Sequence, residues 1–174
     1  MTSSSRLSAP SLSAPVLVLE TPAMERAVTT LIDRVFGPGR FAKVSERLRE
    51  GNTLLGDCSL VALRDGRPVG CVRLWPMTVG GTPVAFLGPL AVDPDERSAG
   101  LGQTLVESAC AAAGAAGWKA VLLVGDAPYF TRAGFSAAHT AGVTMPGPVD
   151  PRRVLLKPLV VGGDLGLSGL VAIP

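Results

Sequence analysis

The chain has 174 residues and a mass of 17.8 kDa, the size of one ordinary domain, with 47% hydrophobic and 17% charged residues and a mean hydropathy of +0.38. That is too apolar for a disordered chain, and a net charge of +2 is too mild to point by itself to nucleic acid or an anionic membrane. The longest uncharged stretch, residues 74–92, is broken by Pro76, Gly80, Gly81, Pro83, Gly88 and Pro89, and residues 159–174 are cut by Gly162, Gly163, Asp164 and Gly166. Neither reads as a membrane helix, so a soluble, cytoplasmic protein is expected. Cys58, Cys71 and Cys110 are odd in number and lack CxxC spacing; they read as small buried hydrophobes rather than a disulfide frame or zinc site. With one histidine, a metal enzyme is not expected, and no metal ligands are assigned.

Residues 1–14 are rich in Ser, Ala and Pro without the apolar core of a signal peptide, and read as a flexible leader to a single domain over 15–174. Residues 16–19 form a short apolar run, expected as a first strand. Thr21-Pro22 then offers an N-cap followed by proline at the first helical position. Ala23, Ala27, Leu31, Val35 and Phe36 carry helical spacing, which Gly37-Pro38-Gly39 ends. A shorter amphipathic helix is expected over 41–49, with Phe41, Val44 and Leu48 on its apolar face. Its other face carries Lys43, Glu46, Arg47 and Arg49, read as solvated surface charge.

Residues 59–64 and 68–75 are strand-like runs joined by Asp65-Gly66, a hairpin signal. Val79-Gly80-Gly81-Thr82 turns into a third strand over 84–92, which completes an antiparallel meander. Residues 100–116 switch to an Ala- and Leu-rich helix with Gly117 placed to end it. Residues 120–124 form a continuous apolar run suited to a buried strand, and a short helix over 128–133 precedes Gly134-Phe135. The tail, including 154–161, supplies a further strand or two. The helix between 84–92 and 120–124 would make those two strands parallel neighbours, with a ligand site where their C-terminal ends open.

The segment with chemical content runs from Leu90 to Gln103: a strand, a short loop, then small residues opening directly into a helix. The first amides of a helix have no intrahelical partner and lie at the positive end of its dipole. Gly100 and Gly102 remove side chains where a phosphate would approach the backbone, and Arg97 adds a charge at the rim. No Lys-Ser/Thr follows the glycines, which excludes a Walker A loop, and the spacing fails the dinucleotide GxGxxG pattern. Taken alone, the turn also reads as an ordinary tight turn.

Arg97-Ser98-Ala99-Gly100-Leu101-Gly102, after its apolar strand, resembles the acyl-CoA motif of the GNAT superfamily of acyl-CoA N-acyltransferases, written Q/R-x-x-G-x-G/A. Leu87-Gly88-Pro89-Leu90-Ala91-Val92, Val124-Gly125-Asp126, Tyr129-Phe130-Thr131-Arg132-Ala133-Gly134-Phe135 and Leu167-Ser168-Gly169 narrow the resemblance to the YhbS-like branch of predicted acetyltransferases. It covers roughly residues 16–174. It implies an α/β (α+β) fold, a mixed, mostly antiparallel sheet of about seven strands flanked by about four helices.

The resemblance implies acetyl-CoA as acyl donor and an unidentified primary amine as acceptor, and it admits a homodimer. Leu90, Ala91 and Val92 would pair with the pantetheine arm, and the amides of Arg97, Ser98, Ala99, Gly100, Leu101, Gly102 and Gln103 would hold the pyrophosphate. The family often has Gly where this chain has Ser98 and a basic residue where it has Ala99, so one phosphate-facing cation is missing. The reaction implied is direct attack of the neutral amine on the thioester in a ternary complex. The family's usual acid, a tyrosine four residues before the Gly-Phe pair, falls on Phe130, which is expected to pack against the acyl-pantetheine end. Tyr129, the only tyrosine, lies one residue earlier, about 100° away on a helix. It is the candidate acid, with an ordinary half-buried aromatic as the other reading.

For the base, the strand over 84–92 offers no carboxylate; Asp126 and His139 are candidates that read equally well as a turn residue and a structural histidine. The acceptor side is expected in residues 37–52 and around 77–82, where Arg34, Arg40, Lys43 and Arg47 would favour an acidic acceptor or simply be solvated. Two other readings stand beside the transferase: an acyl-CoA-binding sensor or partner module without activity, and the same fold serving another acylated carrier.

Overall fold

A computed structural model of the chain describes residues 13–174. The leader expected over 1–14 falls mostly on residues 1–12, outside the described residues. The elements follow in the order β1 (Val16–Leu19), α1 (Glu25–Phe36), α2 (Val44–Arg47), β2 (Leu60–Arg64), β3 (Arg67–Val79), β4 (Thr82–Val92), α3 (Leu101–Ala115), β5 (Ala120–Val124), α4 (Ala127–Phe130), β6 (Val143–Thr144), β7 (Val154–Pro158) and β8 (Gly169–Ala172). The sheet runs β1-β2-β3-β4-β5-β7, and β8 pairs with the far end of β3 and with β6. Every pairing along the main path is antiparallel except β4–β5, which α3 bridges as the expected crossover. The mixed, mostly antiparallel sheet flanked by four α-helices agrees with the fold expected from the resemblance.

The two hairpins form where the sequence places them. Asp65 and Gly66 both have positive φ (50° and 75°), as do Gly80 and Gly81 (53° and 87°), the geometry whose twist matches that of the flanking strands. Strand alternation then sorts side chains to two faces. Val61, Cys71 and Ala91, aligned across β2, β3 and β4, pack under Val28, Leu31 and Ile32 of α1. Leu60, Ala62, Val72, Leu74, Ala85, Leu87 and Leu123 face the other way, onto Leu105, Val106, Ala109 and Cys110 of α3. All three cysteines are buried free thiols, and burial pushes Cys71 up to about 12 and Cys110 to about 11.

The segment after α1 differs from the sequence expectation, whereas the tail agrees with it. The helix expected over 41–49 is a 3-10 turn, Pro38–Ala42, followed by the single turn of α2. Leu48 is buried against Met77 and Phe86 instead of lying on a free-standing amphipathic helix. The tail supplies β7 and β8, and β8 closes against Thr78 and Val79 of β3.

One feature of the sheet positions the site. β4 and β5 pair at only two positions, Ala85↔Val121 and Phe86↔Leu122, and then part. β5 stays with β7 along its whole length, Ala120↔Pro158 to Val124↔Val154. β4 stays with β3, but its register shifts: Val72 faces Leu90 while Leu74 faces Leu87, so Gly88-Pro89 form a bulge opposite Arg73. Proline removes one ladder donor there, and the Gly88 carbonyl is taken by the Trp75 indole N–H at 2.7 Å. Phe86 and Leu122, fully buried, fill the apex of the wedge between the strands.

Candidate functional site

Beyond Phe86 the parted strands leave a cavity of about 650 Å³. One wall is Leu87–Leu90 of β4 and the other Leu123–Asp126 at the end of β5. α4 contributes Tyr129 and Phe130, and the segment around α2 closes the remaining side. An open α/β sheet places ligands at such a divergence, outside the C-terminal ends of its parallel strands.

The backbone of β4 gives the cavity an unpaired edge. Asp93 N–H donates to the Val69 carbonyl at 2.9 Å, one step beyond the Gly70–Val92 pair that ends the β3–β4 register. In an antiparallel ladder the direction alternates, so Ala91 also turns towards β3 while the N–H and C=O of Leu90 and Val92 turn towards the gap. The Val92 carbonyl meets the Arg97 Nε at 3.5 Å. Leu90 and Val92 thus present main chain where a strand partner would otherwise be.

The following loop is a 3-10 turn, Pro94–Ala99, capped by Asp93, whose side chain accepts from the Asp95 N–H at 3.2 Å. Two ion pairs fix this turn from below: Arg34 with Asp93, and Arg64 with Glu96 at 2.8 Å. Two of the three carboxylates of this turn, Asp93 and Glu96, are therefore neutralised by cations from α1 and β2. Gly100, the N-cap of α3, has φ +73°, in the left-handed region that favours glycine. The amides of Leu101, Gly102 and Gln103 follow with no intrahelical partner. Gly102 is buried, and a Cβ added there would run into the Tyr129 hydroxyl and approach Val92 at 3.5 Å. A backbone cradle of this kind, without side chains at Gly100 and Gly102 and with the Tyr129 phenol set against Gly102, fits a pyrophosphate.

Tyr129 and Phe130 diverge as one step of helix requires. Phe130 lies against Gly125 and meets Phe135 edge-on at 6.0 Å between ring centroids; the Tyr129 ring crosses it at 4.9 Å. The Tyr129 phenol reaches across the cleft to Gly102, and burial raises its pKa above the ordinary value. Asp126 is exposed on the same wall; its main-chain carbonyl accepts the N–H groups of Tyr129 and Phe130, each at 3.1 Å, and its carboxylate makes no capping bond. His139 pairs with Asp164 at 2.8 Å, and neither lines the cavity.

The region around α2 departs most from the sequence expectation. Glu46 and Arg49 are not a solvated face: both line the cavity, with side chains 14% and 12% exposed. Glu46 accepts from Arg40 at 2.6 Å and from Arg49 at 3.0 Å, and Arg40 also holds Asp33. Lys43 and Arg47 stand exposed on the lining, and Arg34 is spent on Asp93. Sequence spacing alone offered no signal for Arg49, because the strands that bury it arrive from residues 86–88.

The family model for the acetyltransferase (GNAT) family matches residues 26–135. An uncharacterized N-acetyltransferase, YhbS, of Escherichia coli strain K12 is 34% identical over 125 residues, covering 70% of this chain and 74% of that protein. The crystal structure of Escherichia coli YhbS in complex with CoA superposes with a TM-score of 0.81 at 28% identity, covering 96% of this chain and 93% of the other. A GNAT family acetyltransferase from Brucella melitensis in complex with acetyl-CoA reaches 0.61 at 26% identity over 71% of this chain and 84% of its own. By the family model, by sequence and by shape the chain belongs to the GNAT family as a YhbS-like acetyltransferase.

Proposed function

We propose that the chain, as a single domain over residues 15–174, moves an acetyl group from acetyl-CoA to a primary amine by direct attack in a ternary complex. The observation that carries this reading is the continuity of the unpaired β4 edge with the free amides of α3. The relatives with CoA and acetyl-CoA bound support the choice of donor. In this reading Leu90 and Val92 pair with the amide-bearing pantetheine, with Ala91 holding the strand to β3. The segment Arg97, Ser98, Ala99, Gly100, Leu101, Gly102 and Gln103 receives the pyrophosphate. Phe130 packs against the acyl end. The bulge at Gly88-Pro89 then lies beside the thioester, and the space under α2 is left for the acceptor.

Most of the rate comes from holding amine and thioester together. A C–N bond forms as the C–S bond breaks, and the amine's surplus proton leaves to Asp126 or water. The departing thiolate, whose free pKa is about 8.5, takes a proton from Tyr129. A phenol kept protonated by burial suits that donor role. A cytoplasmic setting goes with three unpaired thiols.

The test combines binding and turnover. Acetyl-CoA should raise the melting temperature, and thiol release should depend on an amine drawn from a broad panel. A raised melting temperature with no thiol release for any amine would leave an acyl-CoA-binding module and overturn the transferase reading.

A further inference from the structure

Among the described residues, only two buried side-chain polar atoms lack a hydrogen-bond partner, the Nε atoms of Arg49 and Arg64. Arg64 lies outside the cavity lining; Arg49 is part of it. The Arg49 guanidinium is held at Nη1 by Glu46, at 3.0 Å, and stands 5.7 Å over the Phe86 ring at the apex of the wedge. Its Nη2 lies against the bulge: a Cβ placed on Gly88 would come within 2.5 Å of it, so the guanidinium occupies the space that glycine leaves. Nε and Nη2 form one edge of the planar fork, and that edge matches the two oxygens of a carboxylate. Arg73 uses Nε and Nη2 to hold Glu20, at 3.0 and 2.6 Å, and Arg152 uses them to hold Asp150, at 3.1 and 2.9 Å. Arg49 makes no such pair: its Nε is buried without a partner, and its Nη2 lies against Gly88 on the cavity wall.

We propose that Arg49 binds a carboxylate of the acceptor, so that the amine acetylated here is an amino-carboxylate. The inference rests on the transferase reading, which puts the thioester beside Gly88–Leu90 and the acceptor under α2. The carboxylate docks on a residue that touches Gly88, and the amine reacts beside the same bulge. Few bonds can therefore separate them, as in a free amino acid or a short peptide with a free terminus. Desolvation lowers Arg49 to about 10 against the support of Glu46, so the cation still persists at neutral pH and is poorly solvated, a setting in which an anion binds strongly. Asp126 on the opposite wall supplies the complementary charge for an ammonium.

The test uses the full chain with acetyl-CoA, the standard amino acids, their carboxamides and simple alkylamines, read by thiol release. At least one amino acid should be acetylated with kcat/KM about 100-fold above its carboxamide. In Arg49→Gln that ratio should collapse to about threefold, with acetyl-CoA affinity held within about twofold; Arg49→Lys, which keeps charge but loses the fork, should fall between. Acetylation of carboxamides or alkylamines as efficiently as acids would overturn the proposal, as would an unchanged ratio in Arg49→Gln. If no amine of any kind releases thiol, the transferase reading fails by itself, and carboxylate binding is still decided by melting temperature. N-acetyl amino acids, but not their amides, should then stabilise the CoA complex of wild type and not of Arg49→Gln; no such difference would reject Arg49.

Discussion

From the cavity towards α3 the site is main chain: the Leu90 and Val92 edge, then the left-handed Gly100 and the amides after it. At its α2 end it is lined by side chains, with Arg40, Glu46 and Arg49 locked to one another and to Asp33. The first end is suited to a ligand whose long polyamide and pyrophosphate are the same in every turnover, and it needs few cations because the helix start supplies the positive field. The second is suited to discrimination, because a fork of fixed donors rejects a ligand that lacks the matching acceptor. The contrast also explains how a chain of net charge +2 can present an anion-binding cleft.

The most damaging change to the main-chain end is an added side chain. Gly102→Glu puts a carboxylate into the amide cradle and displaces the Tyr129 phenol that now lies against that residue. Acetyl-CoA affinity should fall about 100-fold or more, measured by titration calorimetry, since a charge of the wrong sign and a steric block act together. An unchanged affinity would mean that the start of α3 is not the pyrophosphate site.

Tyr129 lines the cavity from α4 with its phenol against Gly102, and as the proposed acid its removal should separate binding from chemistry. Tyr129→Phe should lower kcat about tenfold and leave acetyl-CoA affinity nearly unchanged, because the thiolate is a moderate leaving group and an acid is helpful rather than indispensable. Burial raises the phenol above its ordinary value, so it stays protonated from pH 6 to about 9. The wild-type rate should accordingly rise with pH as the acceptor amine loses its proton, with no fall from Tyr129 in that window. An unaltered kcat in Tyr129→Phe would reject the phenol as the acid.

The same contrast governs how much could be read from the chain before its structure. The strands, the crossover helix and the Gly100–Gly102 turn are local: alternation, small-residue spacing and turn dipeptides are written within a few positions of one another. Residues 16–19 and 120–124 form strands with the expected bounds. Arg49 is different. A five-residue view shows a basic residue on a short polar helix face, which is ordinarily solvated. Its burial comes from Phe86 and Gly88, roughly forty positions away, and from a bulge that no single-strand pattern announces. The split register of β4 was equally hidden, because Gly88-Pro89 in an apolar run marks an interruption without saying which strand pairing it shifts.

The mildest expected effect is also the sharpest check on the main-chain end. Arg97 is exposed on the turn before α3, and its contact with the Val92 carbonyl is long, at 3.5 Å. If the amides and the helix start carry the pyrophosphate, Arg97→Ala removes one screened surface cation and weakens acetyl-CoA binding only about threefold at physiological salt, with a smaller loss at higher ionic strength. A loss approaching that of Gly102→Glu would show that side-chain charge, not main chain, dominates there, and the distinction between the two ends would fail. Arg34 and Arg64 do not compensate for Arg97, since each is already committed to a carboxylate of the same turn, and pulling either away would unpair Asp93 or Glu96 beside the phosphates. Asp93 and Glu96 are thus already neutralised from beneath, and the rim cation Arg97 is expected to add little to that field.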